Sequence, residues 1–231
     1  MGYRKTYYME MDKMKETLVF LGSLLTLWPS LFALSLTIFR QNTRNYFNQI
    51  LLSSLVMAYV TYWTQTYHLG LGIAFVQPVS VLLCFWLIFK IRFVHALIVF
   101  TQSYIYGFVV EILFYVLISH IKNIPFIPLA RDSFFMPMII ITIFNILAIL
   151  FLRHFRIGFS FVQFRKNKYI NPEIIRIVPR IIYYCLGLTF ISLISIYFLQ
   201  SKITLVTSIS CSLMVYFYYV YFLYNKEMSD D

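Results

Sequence analysis

The stretch RHFRIGFSFVQFRKNKYINPEIIR, residues 153–176, interrupts a chain whose side chains are otherwise mostly hydrocarbon. It carries six of the nineteen Lys and Arg residues, and Arg180 follows four positions later. Short segments rich in Lys and Arg stay on the cytoplasmic side of membrane proteins, because moving their charges across the bilayer is unfavourable. The segment is therefore predicted to be a cytoplasmic loop, and the hydrophobic runs on either side of it are predicted to be membrane helices.

The amino-acid composition is that of an integral membrane protein. Hydrophobic residues make up 61% of the 231 residues and charged residues only 12%, which is about half the charged share of soluble domains. A chain of this kind cannot bury its apolar surface inside a water-soluble globule. The net charge of +10 does not indicate nucleic-acid binding, because the basic residues lie between hydrophobic runs rather than along one solvated face.

Several hydrophobic runs are long enough to cross a bilayer as helices, which takes about 20 residues. The predicted spans are about 17–39, 48–67, 72–89, 93–119, 133–152, 178–199 and 203–224. A polar segment, 1–16, precedes this single bundle, the basic loop 153–177 lies within it, and a short tail, 225–231, follows. Pro29 predicts a kink in the first span, and Pro78 is tolerated in the third because neighbouring helices can satisfy the backbone groups it frees. The sequence predicts an all-α, polytopic bundle of about seven transmembrane helices.

The distribution of Lys and Arg between the spans predicts the orientation of the bundle. With the N-terminus outside, the three cytoplasmic loops carry two, two and seven Lys or Arg residues, the last counted over 153–180. The three outer loops carry none, two and one. This bias places the C-terminus in the cytoplasm and the protein in the plasma membrane. The four basic residues before the first span lie outside in this orientation, so they reduce the excess of Lys and Arg on the cytoplasmic side without reversing it.

The basic loop is also a candidate binding surface. A cluster of Lys and Arg beside a bilayer attracts anionic lipid headgroups or an acidic partner protein. The candidate contacts are Arg153, Arg156, Arg165, Lys166, Lys168, Arg176 and Arg180. Topological anchoring explains the same charges, and the sequence leaves both interpretations open.

Polar side chains inside the spans mark a second candidate site, because such groups are costly in hydrocarbon unless they have a role there. Glu111 is the only acidic residue well inside a predicted span. Trp63, Thr64 and Gln65 lie near the end of the second span, and Gln77 lies near the start of the third. These residues predict either a ligand site open to the outside or hydrogen bonds between helices.

Catalytic and metal-binding motifs are missing from the sequence. It contains no GxSxG, HExxH, GxxxxGK[ST] or CxxC pattern, and its four histidines are scattered. The three cysteines lie in apolar runs, where Cys behaves as a small hydrophobic residue. A processing peptidase of the AgrB kind would place a His and a Cys close together at one membrane edge. We therefore expect a protein that is not an enzyme and uses no metal or cofactor.

The last predicted span ends in FLYNKEMSDD, residues 222–231, and Arg153-His154-Phe155-Arg156 lies between the fifth and sixth spans. The number, spacing and aromatic content of the spans resemble the membrane sensor region of AgrC-type histidine kinases, receptors for secreted peptide pheromones in Gram-positive bacteria. The phosphorylated histidine of that family lies after the final span in a box of the form RHDYxN. Residues 153–156 lack its Asp, and no ATP-binding glycine boxes follow. The resemblance implies a sensor-like module that binds a signal peptide but phosphorylates nothing.

Three classes of function stay open at this point. The first is a receptor-like or regulatory protein of quorum sensing, which binds a hydrophobic peptide or lipid-like signal. Its partners would be the lipid bilayer, another membrane protein or a histidine kinase, or a second copy in a homodimer. The second is a small-molecule transporter or a substrate-binding subunit, similar in size to those of energy-coupling-factor transporters. Inverted repeats would favour transport, and none is found. The third is an envelope-assembly scaffold or an immunity protein.

Overall fold

A computed structural model of the chain describes residues 17–18, 20–67, 70–122, 135–160, 162, 179, 182–184, 187 and 202–230. These residues form helices joined by short connections, and no strand occurs among them. The all-α prediction is confirmed for this part of the chain. The predicted segment 1–16 lies outside the described residues, as do most of the basic loop after residue 160 and most of the predicted sixth span.

Long helices account for most of the described residues. They are α1 (Trp28–Ile38), α2 (Phe47–Thr66), α3 (Gly70–Leu83), α4 (Phe93–Lys122), α5 (Phe135–Phe155) and α6 (Lys202–Asp230). A π-helical turn precedes α1 (Ser23–Leu27), another follows α3 (Cys84–Ile88), and a 3₁₀ turn leads into α2 (Thr43–Tyr46). These helices overlap the first five predicted spans and the seventh. Helix α6 continues through most of the segment that was predicted as a tail.

Two helical stretches among the described residues are long and apolar enough to cross a membrane. They are Phe20–Ile38 and Met138–Phe155, and a shorter apolar helix covers Val76–Ile88. Half of the first stretch is buried inside the molecule, but only 22% of the second. Most side chains of Met138–Phe155 therefore face outward although they are apolar. Exposed apolar surface of this extent marks a site of contact with a membrane or with another protein.

Proline explains the π-helical turn at the start of α1. Pro29 has no backbone N–H, and its ring crowds the carbonyl group one turn earlier. The π turn Ser23–Leu27 ends directly before Trp28 and Pro29, where a wider turn accommodates the missing hydrogen bond. The irregularity that the sequence predicted at Pro29 therefore takes this form. Pro78, in contrast, lies inside α3.

Helix α1 is central to the described part of the chain, since it packs against α2, α4 and α5. Its fully buried Phe32 lies 5.3 Å from the ring of Phe85 and 5.7 Å from that of Phe89. Tyr46 extends this cluster, with its ring 6.1 Å from Phe89. Aromatic pairs of this kind contribute about 0.5–1.5 kcal/mol each beyond the burial of their area. The cluster fixes α1 against the end of α3.

Helices that follow one another in the chain from α1 to α5 run in opposite directions, so the C-termini of α1, α3 and α5 lie at one end of the described part of the molecule, together with that of α6. Helix α6 is antiparallel to α4, because the Tyr219 hydroxyl donates to the Ile98 carbonyl over 3.2 Å, close to the start of α4. The connections 39–46, 89–92 and 156–160 meet at this end, which we call the basic end. They belong to the three loops that were predicted to share the cytoplasmic side.

Candidate functional site

Three helices at the basic end finish on a cationic residue in the left-handed conformation. The φ angles are 51° at Arg40, 56° at Lys90 and 54° at Arg156. Gly usually holds this position, because a residue with a Cβ pays roughly 1–2 kcal/mol to adopt it. A cation near a helix C-terminus recovers about 0.3–1 kcal/mol from the helix dipole. The backbone positions of these three cations are thereby defined after α1, after the π-helical turn that follows α3, and after α5.

Backbone hydrogen bonds hold two of these helix ends rigidly. After α1, the Arg40 N–H donates to the Thr37 carbonyl over 3.0 Å, and the Gln41 N–H donates to the Leu36 carbonyl over 2.8 Å. After α5, the Ile157 N–H donates to the Leu152 carbonyl over 3.0 Å. These are the bonds of the Schellman motif, which satisfies the last carbonyl groups of a helix. The backbone beneath Arg40 and Arg156 is therefore well defined.

A cavity of about 560 Å³ lies between the ends of α1 and α5. We call it the arginine cavity, and its lining consists of Thr37, Arg40, Gln41, Asn42, Leu152, Arg153, Arg156 and Ile157. Among the described residues, the lining contains three guanidinium groups and no carboxylate. One Nη2–H of Arg153 donates to the Thr43 hydroxyl over 2.6 Å, which draws this side chain across the gap from α5 to the chain after α1.

The chain leaving α5 touches the end of α1 directly. The Phe159 N–H donates to the Ile38 carbonyl over 2.8 Å. A Cβ on Gly158 would lie 2.6 Å from the Ile38 oxygen and 3.3 Å from the Thr37 oxygen. Only glycine permits this approach. Gly158 therefore allows the two helix ends to form one continuous wall of the arginine cavity.

Helix α6 is joined to the same segment through Glu227. The Ser160 N–H donates to both carboxylate oxygens, over 3.0 and 2.8 Å, and the Ser160 hydroxyl donates to one of them over 2.6 Å. We call this contact the Glu227–Ser160 latch. It lies two residues from Gly158. A displacement of the segment that follows α5 would therefore also displace the end of α6.

The electrostatic balance of the arginine cavity is positive. Its three arginines contribute a formal charge of +3. The C-termini of α1 and α5 contribute roughly −0.5 each. The net charge of this region is therefore about +2. An arrangement of this kind attracts anions, and planar guanidinium groups bind carboxylate or phosphate oxygens in pairs.

Two residues of the predicted basic contact surface line the arginine cavity, Arg153 and Arg156. The other predicted contacts lie outside the described residues: Arg165, Lys166, Lys168, Arg176 and Arg180. Sequence reasoning missed Arg40, which it counted only as a charge that orients the bundle. The sequence feature that could have indicated Arg40 is its position at the end of an apolar run, which Lys90 and Arg156 share.

The predicted site in the outer half contains hydrogen bonds between helices. Trp28 Nε1 of α1 donates to the Thr61 hydroxyl of α2 over 3.0 Å, and Gln77 Nε2 of α3 lies 3.5 Å from the same oxygen. Thr64 is buried and donates within α2 to the Val60 and Thr61 carbonyls, both over 3.0 Å. Thr61 thus connects three helices, although the sequence analysis did not select it.

Of the remaining predicted residues of that site, only Trp63 has a described side chain, and it does not join this network. Trp63 is 47% exposed, and its ring lies against that of Tyr67 at an angle of 40° with the centroids 4.5 Å apart, so it lies on a different face of α2 from the buried Thr64. The side chains of Gln65 and Glu111 lie outside the described residues, although α2 and α4 contain these positions. A ligand site formed by these five residues stays a prediction.

Comparisons of the chain with family models, with curated proteins and with solved structures find no match. The resemblance to AgrC-type sensors therefore rests on the number, spacing and composition of the hydrophobic runs. Among the described residues, no group of three or more His, Cys, Asp or Glu side chains is arranged to hold a metal ion. The site must be interpreted from its own charge and geometry.

Proposed function

We propose that the chain is a multi-pass protein of the plasma membrane, with about seven spans. The observation that carries this proposal is the outward-facing apolar surface of α5. Its exposed side chains are Ile143, Phe144, Ile146, Leu147, Leu150, Phe151 and Phe155. Burial of apolar surface contributes about 25 cal/mol per Å², so this face is stabilised by lipid and is unfavourable in water.

The proposed orientation places the basic end in the cytoplasm. Three connections rich in Lys and Arg meet there, and short basic connections are retained on the cytoplasmic side. Arg40, Arg44, Lys90, Arg92 and Arg153 all belong to these connections or to the last turn of the helix before them. The opposite end of the molecule, with Trp63 and Gln77, then faces outward.

The proposed role is that of a non-enzymatic, receptor-like or regulatory protein that binds a hydrophobic peptide or lipid-like signal. The resemblance to peptide-pheromone sensors supports the signal class. Helix α1 connects the two ends of the molecule, which supports the transmission of a signal along it. Its start is bonded to α2 through Trp28 and Thr61, and its end forms a wall of the arginine cavity. A ligand that moves α1 in the outer half would displace the basic end, where a membrane partner or histidine kinase would respond.

The orientation is tested by labelling single cysteines from outside the cell. The three native cysteines are replaced by Ser or Ala, and Asn45→Cys at the basic end is compared with Tyr67→Cys at the opposite end, both at exposed positions. We expect a membrane-impermeant maleimide to label only Tyr67→Cys in intact cells and to label both after lysis. Labelling of Asn45→Cys in intact cells would show that the orientation is reversed.

The receptor role is tested by titrating purified protein with fractions of the peptides secreted by the organism that encodes it. We expect one fraction to bind saturably and Gln77→Ala to weaken that binding. Gln49→Ala is the matched control, because it lies on α2 near the basic end. Absence of saturable binding would rule out a peptide receptor and leave the transporter and scaffold functions.

A further inference from the structure

We infer that the arginine cavity binds the phosphate group of an anionic phospholipid, whose acyl chains lie along the exposed face of α5. This inference rests on the proposed membrane location and orientation, and adds a ligand class and a binding site to them.

The charge of the cavity favours phosphate over neutral or cationic groups. Three arginines and no carboxylate line the cavity in the part of the chain that the structure describes, and the helix C-termini reduce the combined charge of the arginines only to about +2. Anchoring of the loops in the cytoplasm explains why cations lie at this end. Anchoring does not require three of them to converge on one cavity, however, because positive charges placed apart from one another orient a membrane protein equally well.

The Arg153 side chain is held by a hydrogen bond before any ligand arrives, and the backbone at the other two arginines is fixed. Arg40 and Arg156 project from helix caps that backbone hydrogen bonds fix, and Arg153 is held by the Thr43 hydroxyl. The guanidinium group of Arg153 therefore loses less conformational freedom on binding than a mobile surface arginine would. Guanidinium groups also match phosphate oxygens in geometry, which a lysine ammonium does not.

The size of the cavity and its surroundings point to a lipid rather than free phosphate. Its volume of about 560 Å³ lies within the range of about 300–1,000 Å³ that is usual for small-molecule sites. Leu152 and Ile157 give it an apolar part. Phe151 and Phe155, with ring centroids 4.6 Å apart, continue this surface on α5, and Leu147 is exposed one turn further. Acyl chains attached to a bound phosphate would lie on these side chains.

The test compares lipids retained by the purified, full-length protein. Protein in phosphatidylcholine nanodiscs is supplied with phosphatidylglycerol, and native mass spectrometry measures the lipid that stays bound. We expect one retained phosphatidylglycerol per wild-type chain. In the double variant Arg153→Gln/Arg156→Asn we expect its retention to fall about tenfold or more, because charged hydrogen bonds to phosphate are lost. Asn is used at residue 156 because it tolerates the left-handed conformation.

A matched control separates this cavity from the general charge of the basic end. The double variant Arg44→Gln/Lys90→Asn removes the same charge from the same end, and Lys90 shares the left-handed conformation of Arg156. Neither residue lines the cavity. We expect wild-type retention in the control. An equal loss in both double variants, or no retention by the wild-type chain, would overturn the inference.

Two further arms identify the source of the phosphate and separate this inference from the proposed function. Inorganic phosphate that displaces phosphatidylglycerol at an equal concentration would overturn the assignment to a lipid. Unchanged elution in gel filtration shows that a variant is folded. If the double variant Arg153→Gln/Arg156→Asn is not folded, the single variant Arg156→Asn is tested in its place. Protein with the expected cysteine labelling that retains no phosphatidylglycerol would overturn only this inference, whereas labelling of Asn45→Cys in intact cells would overturn the orientation.

Discussion

At the residue scale, the basic end depends on a contact that a single methyl group would block. Gly158 lies so close to the C-terminus of α1 that an added Cβ would be 2.6 Å from the Ile38 oxygen. The clash is with backbone, which cannot rotate away as a long side chain can. The Phe159–Ile38 hydrogen bond would have to lengthen to relieve it.

We predict that Gly158→Ala lowers the free energy of unfolding by about 1–3 kcal/mol, because overpacking at a rigid contact has a cost of that size. The unfolding midpoint of detergent-solubilised protein measures the effect. Gly187→Ala is the control, since no atom of the described residues lies within 4 Å of the Cβ it would add. Equal midpoints for the two variants would show that the close approach of the helix ends is absent.

The hydrogen bond from Trp28 to Thr61 allows a second prediction at the residue scale. Trp28→Phe keeps a large ring in the core but removes the donor, and Thr61→Val removes the acceptor. Hydrogen bonds between membrane helices average about 0.6 kcal/mol and reach about 1.7 kcal/mol. We expect a coupling free energy in this range from a double-mutant cycle of unfolding midpoints. Additive effects of the two substitutions would exclude the bond.

At the element scale, the Glu227–Ser160 latch joins α6 to the segment after α5 through a single carboxylate. Glu227 accepts three hydrogen bonds from Ser160. Glu227→Gln keeps one acceptor oxygen but removes the charge that strengthens these bonds. We expect faster amide hydrogen exchange at 157–160 and in the last turns of α6. Met228→Ala, at an exposed neighbouring position, should leave the exchange rates unchanged.

The helices themselves were predictable because each is a long apolar run, which the sequence shows directly. Their ends were not. Caps after helices are normally recognised by Gly or Asn, and here Arg40, Lys90 and Arg156 take that position. From the sequence alone, these residues were therefore interpreted only as charges and not as helix caps. The arginine cavity could not be predicted either, because it requires the ends of α1 and α5 to meet, and residues 38 and 159 are distant in sequence.

At the scale of the whole molecule, the separation of apolar side chains from cations shapes both the fold and the site. Apolar side chains cover the outward face of α5, and cations collect where that face ends. A protein in water would reverse this arrangement, because its exposed surface is about a quarter or more charged. The contrast between an apolar middle and a basic end is typical of a helix that stands across a bilayer with its end among lipid headgroups.

The last prediction distinguishes a membrane environment of α5 from an aqueous one. Leu147 and Phe155 are both exposed on α5, but Leu147 lies eight residues, or about 12 Å, further from the basic end. A Lys deep in hydrocarbon costs about 2.5–3.5 kcal/mol on insertion, whereas a Lys near the headgroups extends to water. We therefore expect Leu147→Lys to reduce strongly the protein recovered in the membrane fraction and Phe155→Lys to leave it near the wild-type amount. If α5 faced water, both substitutions would be tolerated alike, because each would replace an exposed apolar side chain by a solvated charge.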